Sequence, residues 1–134
     1  DYAIEIFHEA LKNKAYTSFL AEDTGLPMMY MDDAIKATVD IMEAPSEKIK
    51  VRSSYNLSAL SFTPKVLAEA IQKEIPDFKI SYNPDFRQKI ADSWPSSIDN
   101  SEARKDWQWK HDFDMQSLVK EMLAGVSEQL KTAK

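Results

Sequence analysis

Two side chains in the second half of the sequence have the chemistry to hold a small polar molecule. Arg87 follows Phe86 and carries a planar guanidinium, which can bind a carboxylate or a phosphate through two parallel hydrogen bonds. Aspartates are numerous nearby, so a structural salt bridge is the stronger interpretation of this arginine. Trp94 stands between Ser93 and Pro95, where the proline disfavours a helix and a loop would present the indole. The sequence is equally consistent with a binding role and a core role for Trp94.

Other catalytic chemistries have little support in the residue types. The two histidines, His8 and His111, do not have a metal-binding spacing, so no metal site is predicted. A serine hydrolase of the elbow type would need a nucleophile flanked by glycines, and the sequence has no such motif. Asp32 and Asp33 could exchange protons as a pair, but carboxylates at this position also stabilise the start of a helix, which explains them more simply.

The composition excludes several further classes of protein. The 134 residues include no cysteine, which removes thiolate metal sites, cysteine nucleophiles and disulfides. Glycine occurs twice, at Gly25 and Gly125, so no glycine-rich phosphate loop can form. The formal net charge of −5 argues against nucleic acid and anionic membranes as partners. No apolar run approaches the ~20 residues of a membrane span.

Four helices are predicted from apolar spacing and from capping residues. The first begins after Asp1, a residue type that accepts hydrogen bonds from a first turn, and ends near Asn13. Three more have apolar residues at helical spacing over 35–42, 66–75 and 115–126, and the last of them follows a capping Asp114.

Four short β-branched or aromatic runs predict strands, at residues 16–20, 28–31, 51–57 and 78–82. The segment 84–100 is expected to be irregular, and a segment of that length in a compact domain is often functional. Trp107 and Trp109 alternate along the chain, so only one of them is expected to face the core. Helices that alternate with strands indicate an α/β or α+β fold.

A series of motifs runs through the whole chain. They are Leu26–Ala34, Ser54–Leu57, Ser61–Pro64, Pro84–Gln88, Ile90–Pro95, Asp99–Ser101 and Ala103–Trp109. Together they closely resemble L-threonine 3-dehydrogenases of the short-chain, epimerase-like type. The Asp-Ser-Trp-Pro segment ending at Pro95 is the most specific to that enzyme. The Tyr-Asn-Leu and Trp-Gln-Trp motifs resemble extended short-chain dehydrogenases and sugar epimerases more generally.

This resemblance implies an α/β fold, the carboxy-terminal portion of an extended short-chain dehydrogenase of the Rossmann type with its small substrate-binding subdomain. In that family the amino-terminal half carries a glycine-rich NAD loop and a catalytic Tyr-x-x-x-Lys pair, and this sequence has neither motif. Residues 1–134 are therefore expected to be a substrate-binding portion without the NAD-binding half. Such a portion has no catalytic residue of its own and is expected to be inactive alone.

The resemblance also implies which residues contact the substrate. Asp1 matches the aspartate that follows the family's Gly-Gly-Gly-Thr-Thr loop, and it is expected to pair with the ammonium of the substrate. Trp94 is expected to form an apolar wall that excludes water, and Arg87 is the third candidate contact. Gln108 stands between two tryptophans where the family usually has glycine, which affects the turn expected there.

The activity implied by the resemblance is NAD-dependent oxidation of L-threonine to 2-amino-3-oxobutanoate. The full-length enzyme is expected to be a homodimer, in the mitochondrial matrix of a eukaryote or the cytoplasm of a bacterium. A first alternative is an NAD-dependent sugar-nucleotide epimerase or dehydratase, in which Arg87 would bind a diphosphate. A second is a non-enzymatic interaction domain that presents the last helix to a partner.

Overall fold

The first helix forms from a polar cap followed by an apolar stripe, as predicted. In the computed structural model, which describes residues 1–133, α1 is Tyr2–Asn13. The Asp1 carboxylate accepts a hydrogen bond from the Ala3 backbone N–H at 3.0 Å, which satisfies one of the free donors of the first turn. Lys14 adopts a left-handed conformation, with φ at 52°, and ends the helix.

Residues 1–133 contain two sheets of two strands each. β1 (Ala15–Ser18) and β4 (Lys79–Tyr82) pair in parallel, and this confirms the strands expected at 16–20 and 78–82. β2 (Leu26–Met28) pairs antiparallel with β3 (Leu60–Phe62). The strand predicted at 28–31 therefore lies two residues earlier, because Met31 already begins a helix.

The strand predicted at residues 51–57 is wrong, since this segment is irregular and β3 comes after it. The hydroxyl of Tyr55 accepts hydrogen bonds from the backbone N–H groups of Lys50 and Val51 at 3.0 and 3.1 Å. It also donates one to the buried Asp106 at 2.7 Å. The Tyr55 side chain thus accepts hydrogen bonds from backbone N–H groups that would otherwise need the carbonyl groups of a neighbouring strand.

The second helix, α2, is Met31–Glu43, and most of its large apolar residues are exposed within residues 1–133. The residues whose spacing predicts the helix, Ile35, Val39 and Met42, are all exposed. The buried side carries Asp33 and Ala37 instead. Spacing therefore predicted the helix correctly without indicating which face the rest of the described chain covers.

The segment expected to be irregular, 84–100, contains a helix, so this prediction is wrong in its first half. The helix α4 (Phe86–Asp92) begins where the Asp85 carboxylate accepts from the Arg87 backbone N–H at 2.9 Å. Another short helix that was not predicted, α5 (Ser101–Trp107), follows it. Each has seven residues, too few for an apolar stripe to repeat clearly.

The main core lies between α1, α3 (Pro64–Glu74) and α6 (Met115–Thr132). Leu67 and Ile71 fill it from α3, whereas Val66, which was expected in the same buried stripe, is 45% exposed. In an α-helix Val66 lies about 100° around the axis from Leu67, so the two cannot share one narrow face. No helix in the described part of the chain is long and apolar enough to cross a membrane.

A second, smaller apolar cluster, the tryptophan cluster, consists of Ala37, Ala103, Trp107 and Trp109. Both tryptophans are buried, so the expectation that only one would face inward is wrong. The reason is the turn between them, because Gln108 has φ at 61° and closes α5 in the left-handed region. The Trp109 backbone N–H then donates to the Ala103 carbonyl at 3.2 Å. This turn places the Trp109 ring 6.0 Å from the Trp107 ring, so both pack in the cluster.

Candidate functional site

A cavity of about 490 Å³ at the start of α1 contains all three residues predicted to bind substrate. We call it the Asp1 cavity, and its lining includes Asp1, Tyr2, Phe19, Arg87 and Trp94. Apolar side chains from β2 and α4 complete the walls: Leu26, Met28 and Ile90. An apolar pocket with a few convergent charged groups is typical of a small-molecule site.

Asp1 uses one carboxylate oxygen as a helix cap and leaves the other available. Oδ1 accepts from the Ala3 N–H, whereas Oδ2 has no hydrogen-bond partner among residues 1–133. The carboxylate also lies at the positive end of α1, which stabilises its charge. Capping and ligand binding are therefore compatible at this residue.

Arg87 forms the salt bridge that the sequence favoured, and it still reaches the cavity. Its Nε lies 3.0 Å from both carboxylate oxygens of Asp85, and its Nη2 lies 2.6 Å from Oδ2. Its guanidinium carbon is 3.4 Å from the centre of the Phe19 ring, which indicates stacking. Nη1 has no partner among the described residues, so one edge of the guanidinium is free, and Arg87 is among the residues that line the cavity.

The charge pair at Arg87 also shifts acid–base equilibria. Hydrogen bonds from the Arg87 side chain hold the pKa of Asp85 below its usual value, and the Arg87 backbone N–H adds to this effect. The same side-chain hydrogen bonds raise the pKa of Arg87. Both groups are consequently charged at neutral pH, and the local charge of the pair is balanced.

Trp94 lies just beyond the end of α4 and is 61% exposed, so it belongs to neither apolar cluster of residues 1–133. Its backbone N–H donates to the Ala91 carbonyl at 3.0 Å, which fixes the chain where the indole projects. The helix itself is attached to the loop after β1 through Gln88. The Gln88 side chain accepts from the Ala21 N–H at 2.8 Å and donates to Thr24 at 2.9 Å.

Sequence reasoning missed Tyr2, which follows Asp1 and also lines the cavity. It is fully buried, and its hydroxyl has no hydrogen-bond partner among the described residues. Burial raises its pKa above the ordinary tyrosine value, and the nearby Tyr16 adds to the shift. Its position next to a capping aspartate was the only available signal in the sequence.

The remaining candidates lie outside this cavity. Asp33 is buried and accepts from the backbone N–H groups of Asp112 and Phe113 at 2.7 and 3.2 Å, so it connects α2 to the turn before α6. His8 lines a different depression of about 940 Å³ between α1 and the β1–β4 sheet. Within residues 1–133 no three potential metal-binding side chains converge.

Known proteins of two names are similar to the chain in sequence, although no protein-family model matches it. The chain is 55% identical over 124 residues to a mitochondrial L-threonine 3-dehydrogenase of Bos taurus, which covers 92% of this chain and 33% of the relative. It is 48% identical over 135 residues to an uncharacterized epimerase/dehydratase of Staphylococcus aureus, covering 100% of this chain and 42% of that protein.

Solved structures give the same result. The chain superimposes on an L-threonine dehydrogenase of Phytophthora infestans with a TM-score of 0.92 and 52% identity, over 96% of this chain and 41% of that one. A GalE-like L-threonine dehydrogenase of Cupriavidus necator gives 0.89 and 52%, over 94% and 45%. An NAD-dependent NDP-hexosamine 5,6-dehydratase, only 10% identical, shares the fold with a TM-score of 0.72.

The extent of these matches agrees with the portion expected from the motifs. The chain spans between a third and nearly a half of the length of the relatives described above, and almost all of it is aligned. The chain and the two threonine dehydrogenase structures share the same fold and about half of their aligned residues. The chain therefore resembles, in both sequence and structure, a carboxy-terminal portion of the epimerase-like, short-chain threonine dehydrogenases.

Proposed function

We propose that this chain is the substrate-binding portion of an NAD-dependent L-threonine 3-dehydrogenase, which oxidises L-threonine to 2-amino-3-oxobutanoate. The observation that carries the proposal is the convergence of Asp1, Arg87 and Trp94 on one cavity. It occurs in a chain about half identical to threonine dehydrogenases. Oxidation at the β-carbon requires threonine to be held in one orientation, which needs separate contacts for its charged groups.

Asp1 supplies the contact for the ammonium group. Its free Oδ2 can accept a charge-assisted hydrogen bond, which is stronger than one between neutral groups. The cap that Oδ1 forms with Ala3 holds the carboxylate in place, so little side-chain freedom is lost when a ligand binds.

Arg87 and Trp94 supply the other two contacts. The free edge of the Arg87 guanidinium suits the substrate carboxylate, while Asp85 and the Phe19 ring hold the arginine in a fixed orientation. The exposed indole of Trp94 lies at the opening, where it closes over the bound amino acid and excludes water.

The described residues do not fit NAD itself. Gly25 lies in the turn before β2 and Gly125 lies inside α6, so neither begins a pyrophosphate-binding loop. No tyrosine in the sequence has a lysine four residues later. We assign cofactor binding and proton transfer to the part of the enzyme outside these residues, and no step of hydride transfer to this chain. The chain is accordingly inactive alone.

A sugar-nucleotide epimerase or dehydratase is a second candidate, because relatives with 46–48% identity are named uncharacterized epimerase/dehydratase. In that function Arg87 would bind a diphosphate. The charges favour the amino acid, because its ammonium can pair with the Asp1 carboxylate in the cavity, whereas a diphosphate has no positive group that could do so. A diphosphate with two negative charges would be repelled by this arrangement.

A non-enzymatic interaction domain has weaker support. That function would need α6 to offer an apolar face to a partner. Leu118, Val119 and Val126 of α6 are instead buried against α1 and α3.

We also propose the assembly and the location of the full-length enzyme. The full-length protein is a homodimer that acts on a small molecule, with no nucleic acid or membrane as a partner. It is found in the mitochondrial matrix of a eukaryote, as the name of the bovine relative suggests, or in the cytoplasm of a bacterium.

The test is a chimera in which residues 1–134 replace the matching portion of the Cupriavidus necator enzyme. The chimera should form NADH with L-threonine and should leave UDP-glucose unconverted to other sugar nucleotides, whereas the purified 134-residue chain should form no NADH above background. NADH formation by the chain alone would overturn its assignment as a binding portion. A chimera that acts on UDP-glucose and not on threonine would overturn the assignment of L-threonine as the substrate.

A further inference from the structure

Helix α2 is apolar on two sides, and only one of them is covered by residues 1–133. Ala37 on the buried side contacts the tryptophan cluster. On the other side four apolar side chains are between 44% and 78% exposed and form a continuous line, which we call the α2 stripe: Met31, Ile35, Val39 and Met42. Spacings of four, four and three residues place all of them on one helical face.

The α2 stripe has the composition of a covered surface. Charged side chains border it, including Lys36 and Asp40, which form an ion pair at 2.8 Å. Large apolar residues exposed singly are ordinary, but a contiguous line with a polar border is typical of an interaction surface. A helix that is apolar on two sides normally lies between two layers of a fold.

The strand β1 has an unpaired edge within residues 1–133. Within residues 1–133, β1 pairs only with β4, so one of its edges has no partner strand. Parallel strands occur almost entirely in larger sheets with helices on both faces. The chain covers 41% of the Phytophthora infestans structure that it matches with a TM-score of 0.92, so more than half of that fold lies outside these residues.

We infer that the α2 stripe is a docking surface for an apolar face of this remaining part of the fold, in the same polypeptide. A second copy of the chain suits it less well. The stripe is about 17 Å long on a single helix. A stable dimer commonly buries about 800 Å² on each partner, which four side chains do not reach.

Thiol labelling tests the surface in the chimera described above. Val39 in the stripe and Val66 on α3 form a matched pair, since both are helical valines with 44% and 45% exposure. The chain has no cysteine, so Val39→Cys and Val66→Cys each introduce a single thiol into it. Peptide mass spectrometry then reports the rate of maleimide labelling at each position.

In the 134-residue chain both thiols should react at similar rates. In the chimera, the thiol from Val39→Cys should react at least about tenfold more slowly, and that from Val66→Cys should change by less than about twofold. Equal labelling of Val39→Cys in the two proteins would overturn the proposal. This readout does not depend on turnover, so an inactive chimera still tests the surface separately from the function.

Glutamate variants give a second measurement. Val39→Glu should leave the melting temperature of the 134-residue chain nearly unchanged and lower that of the chimera, whereas Val66→Glu should act alike in both. Light scattering tests whether a second copy of the chain covers the stripe instead. If the 134-residue chain is a dimer that Val39→Glu makes monomeric, the stripe is a self-association surface and the inference is wrong.

Discussion

At the Asp1 cavity Trp94 is 61% exposed, whereas Trp109 in the tryptophan cluster is 2% exposed. Among residues 1–133, Trp94 is held by the hydrogen bond of its backbone N–H and by its place after the short helix α4. The Trp109 indole donates to the Ser58 carbonyl at 3.0 Å and lies 6.0 Å from the Trp107 ring. One residue type thus serves in two environments, one open to solvent and one closed.

The difference lies in the range of the contacts. At the cavity, the side chains of Asp1 and Arg87 are each hydrogen-bonded to a residue two positions away, while Gln88 joins α4 as a whole to the distant loop after β1. In the tryptophan cluster the side-chain hydrogen bonds join distant segments, as between Tyr55 and Asp106. A site that opens to bind a ligand can be held by local contacts, whereas a structural cluster joins separate segments. Substitutions should therefore affect activity at the cavity and stability at the cluster.

The largest effect is expected at the cluster. Trp109→Ala removes a buried ring and its hydrogen bond, and it should lower the free energy of unfolding by about 3–5 kcal/mol. Trp94→Ala is the matched control, because it removes the same side chain from an exposed position and should cost less than about 0.5 kcal/mol. Urea denaturation of the 134-residue chain measures both. Equal losses would remove the distinction between the two regions.

The next effect concerns binding at the cavity. In the chimera, Asp1→Asn removes the negative charge proposed to pair with the substrate ammonium and keeps the shape of the side chain. A hydrogen bond to a charged group contributes roughly 1.5–3 kcal/mol, so kcat/KM for threonine should fall about tenfold to a hundredfold. NAD affinity, measured by fluorescence titration, should change little.

The same substitution distinguishes binding from capping. Asparagine caps a helix about as well as aspartate, so a residue that serves only as the cap of α1 would tolerate the change. An unchanged kcat/KM would therefore return Asp1 to a structural role. Alanine is less informative, since it removes both functions.

Trp94→Ala should reduce threonine turnover by roughly tenfold while NAD affinity is retained, because the indole is assigned to the substrate side of the cavity. Phe86→Ala is a suitable control, since Phe86 is an exposed aromatic at the other end of α4 and is not among the residues that line the cavity. Turnover is expressed per folded molecule, with melting temperatures measured beside it. Similar kinetics for the two variants would leave Trp94 without a role in binding.

Local chemistry was predictable from the sequence, and long-range pairing was not. The caps at Asp1 and Asp114 and the helices that follow them were found because a cap acts within one turn. The prediction of a strand at 51–57 was wrong because the Tyr55 hydroxyl accepts from the backbone N–H groups of Lys50 and Val51. The same hydroxyl donates to Asp106, which lies 51 residues further along the chain. Nothing in a local pattern indicates such a contact.

The candidate site was predictable only in parts. Arg87 and Trp94 were chosen for their side-chain chemistry and Asp1 through the resemblance. Their convergence depends on the parallel pairing of β1 with β4, which places Arg87 against Phe19. Tyr2 was missed because an aromatic at the start of a helix normally indicates only core packing.

A smaller effect is expected at the turn inside the tryptophan cluster. Gln108 has a left-handed backbone, which costs a residue with a side chain roughly 1–2 kcal/mol relative to glycine. Gln108→Gly removes this strain, partly offset by greater freedom of the unfolded chain, and should raise stability by about 0.5–1 kcal/mol. Gln108→Ala keeps the strain and should give no gain. If both variants melt alike, side-chain contacts rather than backbone strain govern this turn.

The smallest effect is a change in acid sensitivity at the cavity. The pKa of Asp85 is lowered in the folded protein, first by the Arg87 side chain and then by the Arg87 backbone N–H. A lowered carboxyl pKa stabilises the fold above the unfolded value of about 3.9, and this contribution is lost as the pH falls through the folded pKa. Asp85→Asn keeps the cap of α4 without an ionisable group, so it should lose less stability below about pH 4 than the wild type does.

Other hydrogen-bonded carboxylates limit how much Asp85→Asn can reduce the acid sensitivity of the fold. Hydrogen bonds also lower the pKa values of Asp77, Asp99 and Asp114, so these carboxylates remain acid-sensitive in the variant. Urea midpoints measured from pH 6 to about pH 2.5 give the comparison. Glu47→Gln is the control, because it removes a carboxylate with no hydrogen-bond partner among the described residues. If Asp85→Asn keeps the full acid dependence of the wild type, the pair with Arg87 does not contribute to folding, and its remaining role is to orient the arginine.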